Sequence, residues 1–395
     1  MHYLLYRGPI KLLEPLVLLG SKSLLFKNLH FCGVKTQTFC FPTRAPMALS
    51  SFTKNLISIL SSTSSEPLAR RLALSKAITL IESSSPPRQT QAQLLLANLP
   101  PRTRSPSARN WRSNPFRIGI AGPPGAGKST LIETFGMFLL DSSSDKDKND
   151  LPNNLAVICV DPSSIFTGGS ILGDKTRMQH LSNHPRAYVR PSPTSLALGG
   201  LGCYTYDVVS LTESAQYDFT IVETVGLGQS ELEVDQVVDC LILVVPPGGG
   251  DELQGVKKGI VEVADIVVVN KADGGFLEQA KRTAGDYKSG VMYQMRKIVD
   301  WHPPVLLVSG QSGAGVDKLF DTICEFREKN AKAVEQKRED QGRFWMYKMF
   351  EDLVRRELKT NEGIVEKRLE LEKIVGKSIT ARFAATELLE KMFIR

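Results

Sequence analysis

A chain of 395 residues with 42% hydrophobic, 23% charged and 7% aromatic residues holds enough apolar material for a large core. Its mean hydropathy of -0.11 and the lack of any apolar run near ~18 residues exclude a membrane-spanning helix. Six cysteines, none in a Cys-x-x-Cys pair, exclude a disulfide framework and a zinc site and fit a reducing compartment.

The net charge of +7 is not evenly spread. Seven basic residues and one acid, Glu14, fall within residues 1–65, which leaves the remainder close to neutral. The body of the chain therefore lacks the charge excess of a nucleic-acid-binding protein. Residues 1–50 are basic, acid-poor and contain Ser and Leu, the composition of a mitochondrial transit peptide. They predict import into the mitochondrial matrix, with cleavage between Pro42 and Lys54. A disordered tail, or translation beginning at Met47, is the alternative reading. Arg7, Lys11 and Glu14 interrupt the apolar stretch that a secretory signal needs.

Residues 53–99 predict helices, with Leu68, Leu72, Ile78, Leu80 and Ile81 at near-helical spacing. Ser83–Pro87 breaks the first helix and Gln91–Leu99 forms a second. Residues 100–115, with Pro101, Pro106 and Pro115 among Arg and Ser, read as a linker. Apolar, β-branched runs then alternate with helical stretches: Arg117–Ala121, Leu155–Val160, Phe219–Glu223, Cys240–Val245, Ile266–Val269 and Val305–Val308. Such runs are strands buried on both faces, so the fold class is α/β, a doubly wound and mostly parallel sheet. Ser142–Asn154 is a polar surface insertion. From about Asp317 the chain becomes helical and charged. The domain organisation expected is a leader at 1–50, helices and linker at 51–110, a nucleotide-binding domain at 111–325 and a helical extension at 326–395.

The run Gly122, Pro123, Pro124, Gly125, Ala126, Gly127, Lys128, Ser129 fits G-x-x-x-x-G-K-S, after a strand and before a helix that begins near Thr130. Glycines let successive backbone N–H groups turn inward around phosphate oxygens. Lys128 would reach the β- and γ-phosphates, and Ser129 would hold Mg²⁺. Asn270, Lys271, Ala272 and Asp273 follow the strand Ile266–Val269 as an N-K-x-D run. The Asp273 carboxylate can accept from both N1–H and the 2-amino group of guanine, which adenine does not match. Asn270 would brace the loop and meet the base edge, and the Lys271 stem would cover the ring. Ser309, Gly310 and Gln311 follow the next strand, where a second guanine-contacting loop is expected.

Three acids at strand-end loops, Asp161, Asp174 and Glu223, can surround Mg²⁺ directly or through water; the plainer reading makes each a cap or turn residue. Gly226 is placed to offer its amide to the γ-phosphate, so that loss of phosphate releases 227–233. Gln229 is nearby, but no glutamine is clearly placed to position water, which predicts slow intrinsic hydrolysis.

The runs Ala121–Thr130, Asp161–Ser164, Thr167–Met178, Arg190–Pro193, Val222–Glu231, Pro247–Gly259 and Asn270–Asp273 resemble the MeaB/ArgK/methylmalonic aciduria type A family. The likeness extends over roughly residues 65–395. It implies a P-loop GTPase fold of the SIMIBI type that binds GTP/GDP and Mg²⁺ and serves as a chaperone for adenosylcobalamin loading and protection of methylmalonyl-CoA mutase. It also implies a homodimer held by the C-terminal extension. By the same likeness Asp161, Asp174 and Glu223 fall on the metal and water positions, and the loop 246–258 is a mobile switch carrying Lys258 toward the nucleotide. Lys128, Asp174, Glu223 and Lys258 are thus the expected catalytic set. Ile165–Phe166 and Gly202–Tyr206 depart from the family pattern.

Two other functions fit less well: a nucleotide-dependent kinase or transport ATPase, which needs an acceptor pocket, and a non-catalytic dimeric GTP-binding scaffold, which the intact Lys128 and Ser129 disfavour. His180, His184 and His302 read as surface or capping residues, and without a D-x-H-x-x-G run no directly bound cobalamin is expected. Cys159 and Cys240 lie in strands and are expected to be buried and inert. Ile364–Met392 is either a dimer arm or an amphipathic helix packed on its own subunit. No nucleic acid and no membrane are expected as partners.

Overall fold

All six apolar runs fold as strands, and a seventh segment joins them. The computed structural model of the protein describes residues 48–62, 65–83, 85–99, 111, 113–141, 151–161, 178–193, 203–224, 233–248, 258–292, 297–298 and 300–393. Its strands are β1 (Phe116–Ala121), β2 (Leu155–Asp161), β3 (Ala187–Pro193), β4 (Phe219–Thr224), β5 (Cys240–Val245), β6 (Ile266–Val269) and β7 (Val305–Leu307). They form one sheet in the order β3-β2-β4-β1-β5-β6-β7, and every neighbouring pair is parallel.

β3 is absent from the sequence reading, and its residues explain why. Pro191 and Pro193 argue against a strand, yet β3 pairs only with β2 at the edge of the sheet. One row of N–H groups has no ladder partner there, so proline is tolerated.

The helices are α1 (Ser51–Ser61), α2 (Pro67–Ile81), α3 (Pro86–Asn98), α4 (Lys128–Asp141), α5 (Gln179–Asn183), α6 (Cys203–Ser214), α7 (Lys258–Val263) and α8 (Leu277–Met292). They continue with α9 (Val316–Lys329), α10 (Ala331–Thr360), α11 (Glu362–Ile374) and α12 (Ala381–Phe393). Strand residues divide by parity between the two layers. Leu155, Val157 and Cys159 of β2 join Cys240, Ile242 and Val244 of β5 in a core with Phe135 of α4 and Ile323 of α9. Leu241, Leu243 and Val245 face the other way, against Ile260 of α7 and Tyr287 of α8. Cys159 and Cys240 are both buried, and burial raises the Cys240 thiol well above its ordinary range.

The N-terminal segment is three helices rather than two. Pro86 and Pro87 open α3 instead of merely ending α2, because proline in a first turn gives up no helical hydrogen bond. Leu74, Ile78 and Leu95 of these helices pack with Ile158, Tyr188 and Leu211. Most of the expected linker and of the 142–154 insertion lies outside the described residues. Trp111, however, is a core anchor: it is 2% exposed, meets the rings of Phe219 and Phe320 and lies 4.0 Å beneath the Arg327 guanidinium.

The C-terminal helices begin with a firm attachment. Lys337 and Arg338 of α10 enter a group of acids at the N-terminal ends of the strands. Lys337 bonds Asp235 at 2.7 Å, Arg338 bonds Asp239 and reaches Glu213 at 3.0 Å, and Arg117 bonds Glu213 at 2.8 Å. Lys297 joins Asp235 (2.6 Å) to Asp265 (3.2 Å). Burial pushes Glu213 and Asp235 up, but their cations carry both below the usual carboxylate range. For Asp265 burial outweighs Lys337 and Lys297 and its pKa is raised. Beyond this group, Gln341 donates to the carbonyls of Asp235 and Val238, and Trp345 donates to that of Gln236 at 2.6 Å.

The departure at 202–206 lies partly against this helix: Tyr206 stacks on Trp345 at 5.9 Å and the Tyr204 hydroxyl accepts from Arg356. Ile165 and Phe166 lie outside the described residues. Further along, Met346, Phe350 and Leu353 of α10 and Phe383 and Leu389 of α12 are more than half exposed. Among the described residues no helix is long and apolar enough to cross a membrane.

Candidate functional site

The C-terminal ends of β1, β4, β6 and β7 converge on one edge of the sheet. Gly122, immediately after β1, has φ 145°, and a Cβ there would lie 2.0 Å from the Val244 carbonyl oxygen of β5. Only glycine lets the loop leave the sheet so closely. Gly127 has φ 84°, and its Cβ would meet the Asn270 amide nitrogen at 2.6 Å. The glycine spacing thus serves contact with the second loop as well as an approach to phosphate. Lys128 is buried at the start of α4, and its ammonium donates to the carbonyls of Gly122 (2.7 Å) and Pro123 (3.1 Å). Pro124, Gly125 and Thr130 are exposed on the rim, with Pro123 partly so.

The parallel pairing of β1 with β4 sets Ile120 against Glu223, so this acid arrives at the foot of the loop. The Ser129 hydroxyl donates to Glu223 Oε1 at 2.7 Å. Two hard oxygen donors, one from the first turn of α4 and one from the end of β4, are thereby brought together, a donor set that suits Mg²⁺. β2 places the backbone of Asp161 at the same edge, two positions beyond the Cys159–Glu223 register. Asp174 and Gly226 lie outside the described residues, as do the side chains of Asp161 and Lys258; the backbone of Lys258 begins α7. Among the described residues no three His, Cys, Asp or Glu side chains gather as a metal site.

Asn270 is the hub of the second loop. Its amide nitrogen donates to Ala126 (2.9 Å) and Gly127 (3.2 Å) carbonyls, while its amide oxygen accepts from the Gly310 N–H at 2.9 Å. Fully buried and engaged at both ends of its amide, it braces three loops. Lys271 adopts a left-handed φ of 57° and donates to the Gly125 carbonyl at 2.8 Å, which lays its stem across the phosphate loop. Asp273 is half-buried, and the Ser309 hydroxyl donates to its carboxylate. Ser309 itself is fully buried and so holds the Asp273 carboxylate in place. Gln311 is exposed beyond it.

Sequence reasoning missed Thr134, whose hydroxyl donates to the Gly310 carbonyl and ties α4 to the third loop. A lone threonine on a helix gives no pattern by which to find it. The histidines have the bland roles expected. His184 ends α5, accepts from the Arg186 N–H at 3.2 Å and lies 3.5 Å from Asp141. Burial and Arg186 lower its pKa. His180 is exposed.

An all-parallel sheet whose central strand leads into a G-x-x-x-x-G-K-S loop, braced by an N-K-x-D loop from the strand two places along, defines a P-loop GTPase. Residues 74–363 match the family of methylmalonyl-CoA mutase-associated GTPase MeaB, and the chain belongs to that family. It is similar to the mouse protein named methylmalonic aciduria type A homolog, mitochondrial, at 41% identity over 327 residues, 82% of this chain and 77% of the relative. It is equally similar to the GTPase ArgK of Escherichia coli, at 41% over 294 residues, 74% and 83% of the two chains. A crystal structure titled LAO/AO transport system kinase superposes with a TM-score of 0.62 at 30% identity, covering 88% of this chain and 99% of that one. The chain is therefore a GTP-hydrolysing enzyme.

Proposed function

We propose that GTP is bound and hydrolysed at this edge, and that the GTP and GDP forms present different surfaces to methylmalonyl-CoA mutase, assisting the loading and protection of its adenosylcobalamin. The observation that carries the nucleotide reading is the Asn270 bracket, which joins the Ala126 and Gly127 carbonyls to the Gly310 amide. It makes the phosphate loop and the Asp273 loop a single rigid body.

In this reading the loop amides from Gly122 to Ser129 cradle the phosphates, and Lys128 transfers its ammonium from loop carbonyls to phosphate oxygens as charge develops. Asp273, held by Ser309, accepts the two guanine donors. Ser129 and Glu223, with Asp161 and Asp174, would hold Mg²⁺, which when bound supplies positive charge to the phosphates. Gly226 and the 246–258 loop with Lys258 form the nucleotide-sensitive segments. Support for the mutase as partner is the family description, and support for the mitochondrial matrix is the acid-poor leader together with the mouse relative's name. No cobalamin ligand is assigned to this chain.

The C-terminal extension would pair two copies. Met346, Phe350 and Leu353 recur at helical spacing on one exposed face of α10. Sedimentation of Phe350→Asp and Phe383→Asp variants tests this, since dimers retained by both would remove the extension from the interface. The functional reading is tested by pull-down with methylmalonyl-CoA mutase in GDP and in a non-hydrolysable GTP analogue. Capture that changes with nucleotide is expected; capture indifferent to it removes the switch. Equal affinity for ATP and GTP would remove base recognition.

A further inference from the structure

On the side of the molecule where the N-terminal helices meet α6 and α10 lies a cavity of about 320 Å³. Ala92 and Leu96 of α3 and Met349 and Leu353 of α10 give it apolar walls. Asp207 of α6 opens onto it. No described residue offers that carboxylate a hydrogen bond or an ion pair, and burial alone raises its pKa to about 7. The cation on the wall, Arg356, is already committed: it bonds Asp352 at 2.7 Å, donates to the Tyr204 hydroxyl and rests 5.6 Å from the Tyr204 ring centre. The cavity therefore combines apolar walls, a neutralised arginine and one uncompensated carboxylate.

Three ligand classes can be weighed against that chemistry. An anion would face Asp207 with no spare cation to hold it. A divalent metal needs several oxygens, and the walls are largely apolar. A neutral molecule would deepen the desolvation of the carboxylate without satisfying it. A cation on an apolar stem meets both features, and the volume matches the lower end of small-molecule pockets at roughly 300 Å³.

We infer that this cavity is a binding site for a small organic cation, an ammonium or guanidinium group on a short apolar chain, with Asp207 as its counter-ion. The site is separate from the phosphate loop, and its occupancy would bridge the N-terminal helices to the C-terminal extension.

The test is thermal unfolding of the full chain at about pH 8, where Asp207 is charged, with n-butylamine, n-butylguanidine or n-butanol up to about 10 mM. Protein concentration is fixed so that self-association through the neighbouring exposed face stays constant. The two cations are expected to raise Tm and the alcohol is not. Asp207→Asn should lose the shift and Asp207→Glu should retain it, with GTP hydrolysis by both variants showing that they are folded. Lowering the pH to about 5.5 should shrink the wild-type shift. The other charged or titratable groups facing the cavity are Asp352, Arg356 and Tyr204, and they bond one another through Arg356. An equal shift with butanol, a shift that persists in Asp207→Asn, or no shift from either cation would each overturn the site.

Discussion

The two ends of the same sheet treat charge in opposite ways. At the strand N-termini, Glu213, Asp235, Asp239 and Asp265 are matched by Arg117, Lys297, Lys337 and Arg338. At the strand C-termini, Lys128 and Lys271 rest on backbone carbonyls, and Glu223 and Asp273 are touched by hydroxyls. Carbonyl and hydroxyl partners can be exchanged for a ligand at low cost, whereas a buried ion deprived of its counter-ion is strongly destabilising. Charge that cancels fixes the scaffold, and charge held by dipoles is kept for chemistry.

The contrast can be broken most forcefully at the paired end. Arg338→Met takes from Asp239 its ion-pair partner and leaves Glu213 with Arg117 alone, and should lower unfolding free energy by about 3–5 kcal/mol, read by denaturant titration. Adding Asp239→Asn should recover part of the loss; if the double variant is no better than the single, the pairing is not what Arg338 supplies. At the other end, Lys128→Ala should cut single-turnover GTP hydrolysis by roughly 100-fold or more with Tm little changed. Asp273→Asn should weaken GTP on the order of 100-fold and favour xanthosine triphosphate, whose 2-oxo group accepts from the new amide; competition binding reads both.

The smallest effect distinguishes two kinds of carboxylate by pH. Glu213 and Asp235 have lowered values, so their contribution is present above the ordinary carboxylate range and is lost as pH falls through those values. Asp207 is raised to about 7, so the folded chain holds its proton more tightly and loses stability as pH climbs from about 4 to 7. Asp207→Asn should therefore match the wild type near pH 4 and exceed it above about pH 7 in a series of melting curves.

Much of the site was legible because its parts are contiguous in the chain. Gly122–Ser129 and Asn270–Asp273 each declare a geometry by residue type and spacing, and the strands before them were plain from β-branched runs. What escaped was contact made across long separations. Arg338 lies 125 residues from Glu213, and nothing local marks either as paired. The position of Ser309 after a strand marks its loop, but its bond to Asp273, 36 residues away, depends on three-dimensional packing. Trp111 was hidden by its proline- and arginine-rich surroundings, and β3 by prolines that only an edge permits.

The insertion of Lys337 and Arg338 beneath the strands has a practical corollary for anyone shortening the chain. The nucleotide-binding half does not end where the sheet ends. A version terminated after α9 would take Lys337 from Asp235 and Arg338 from Asp239 and Glu213, and forfeit the Gln341 and Trp345 clasps on residues 235–238. The smallest piece able to stand alone must run past Trp345, so the tail is a keystone before it is an arm.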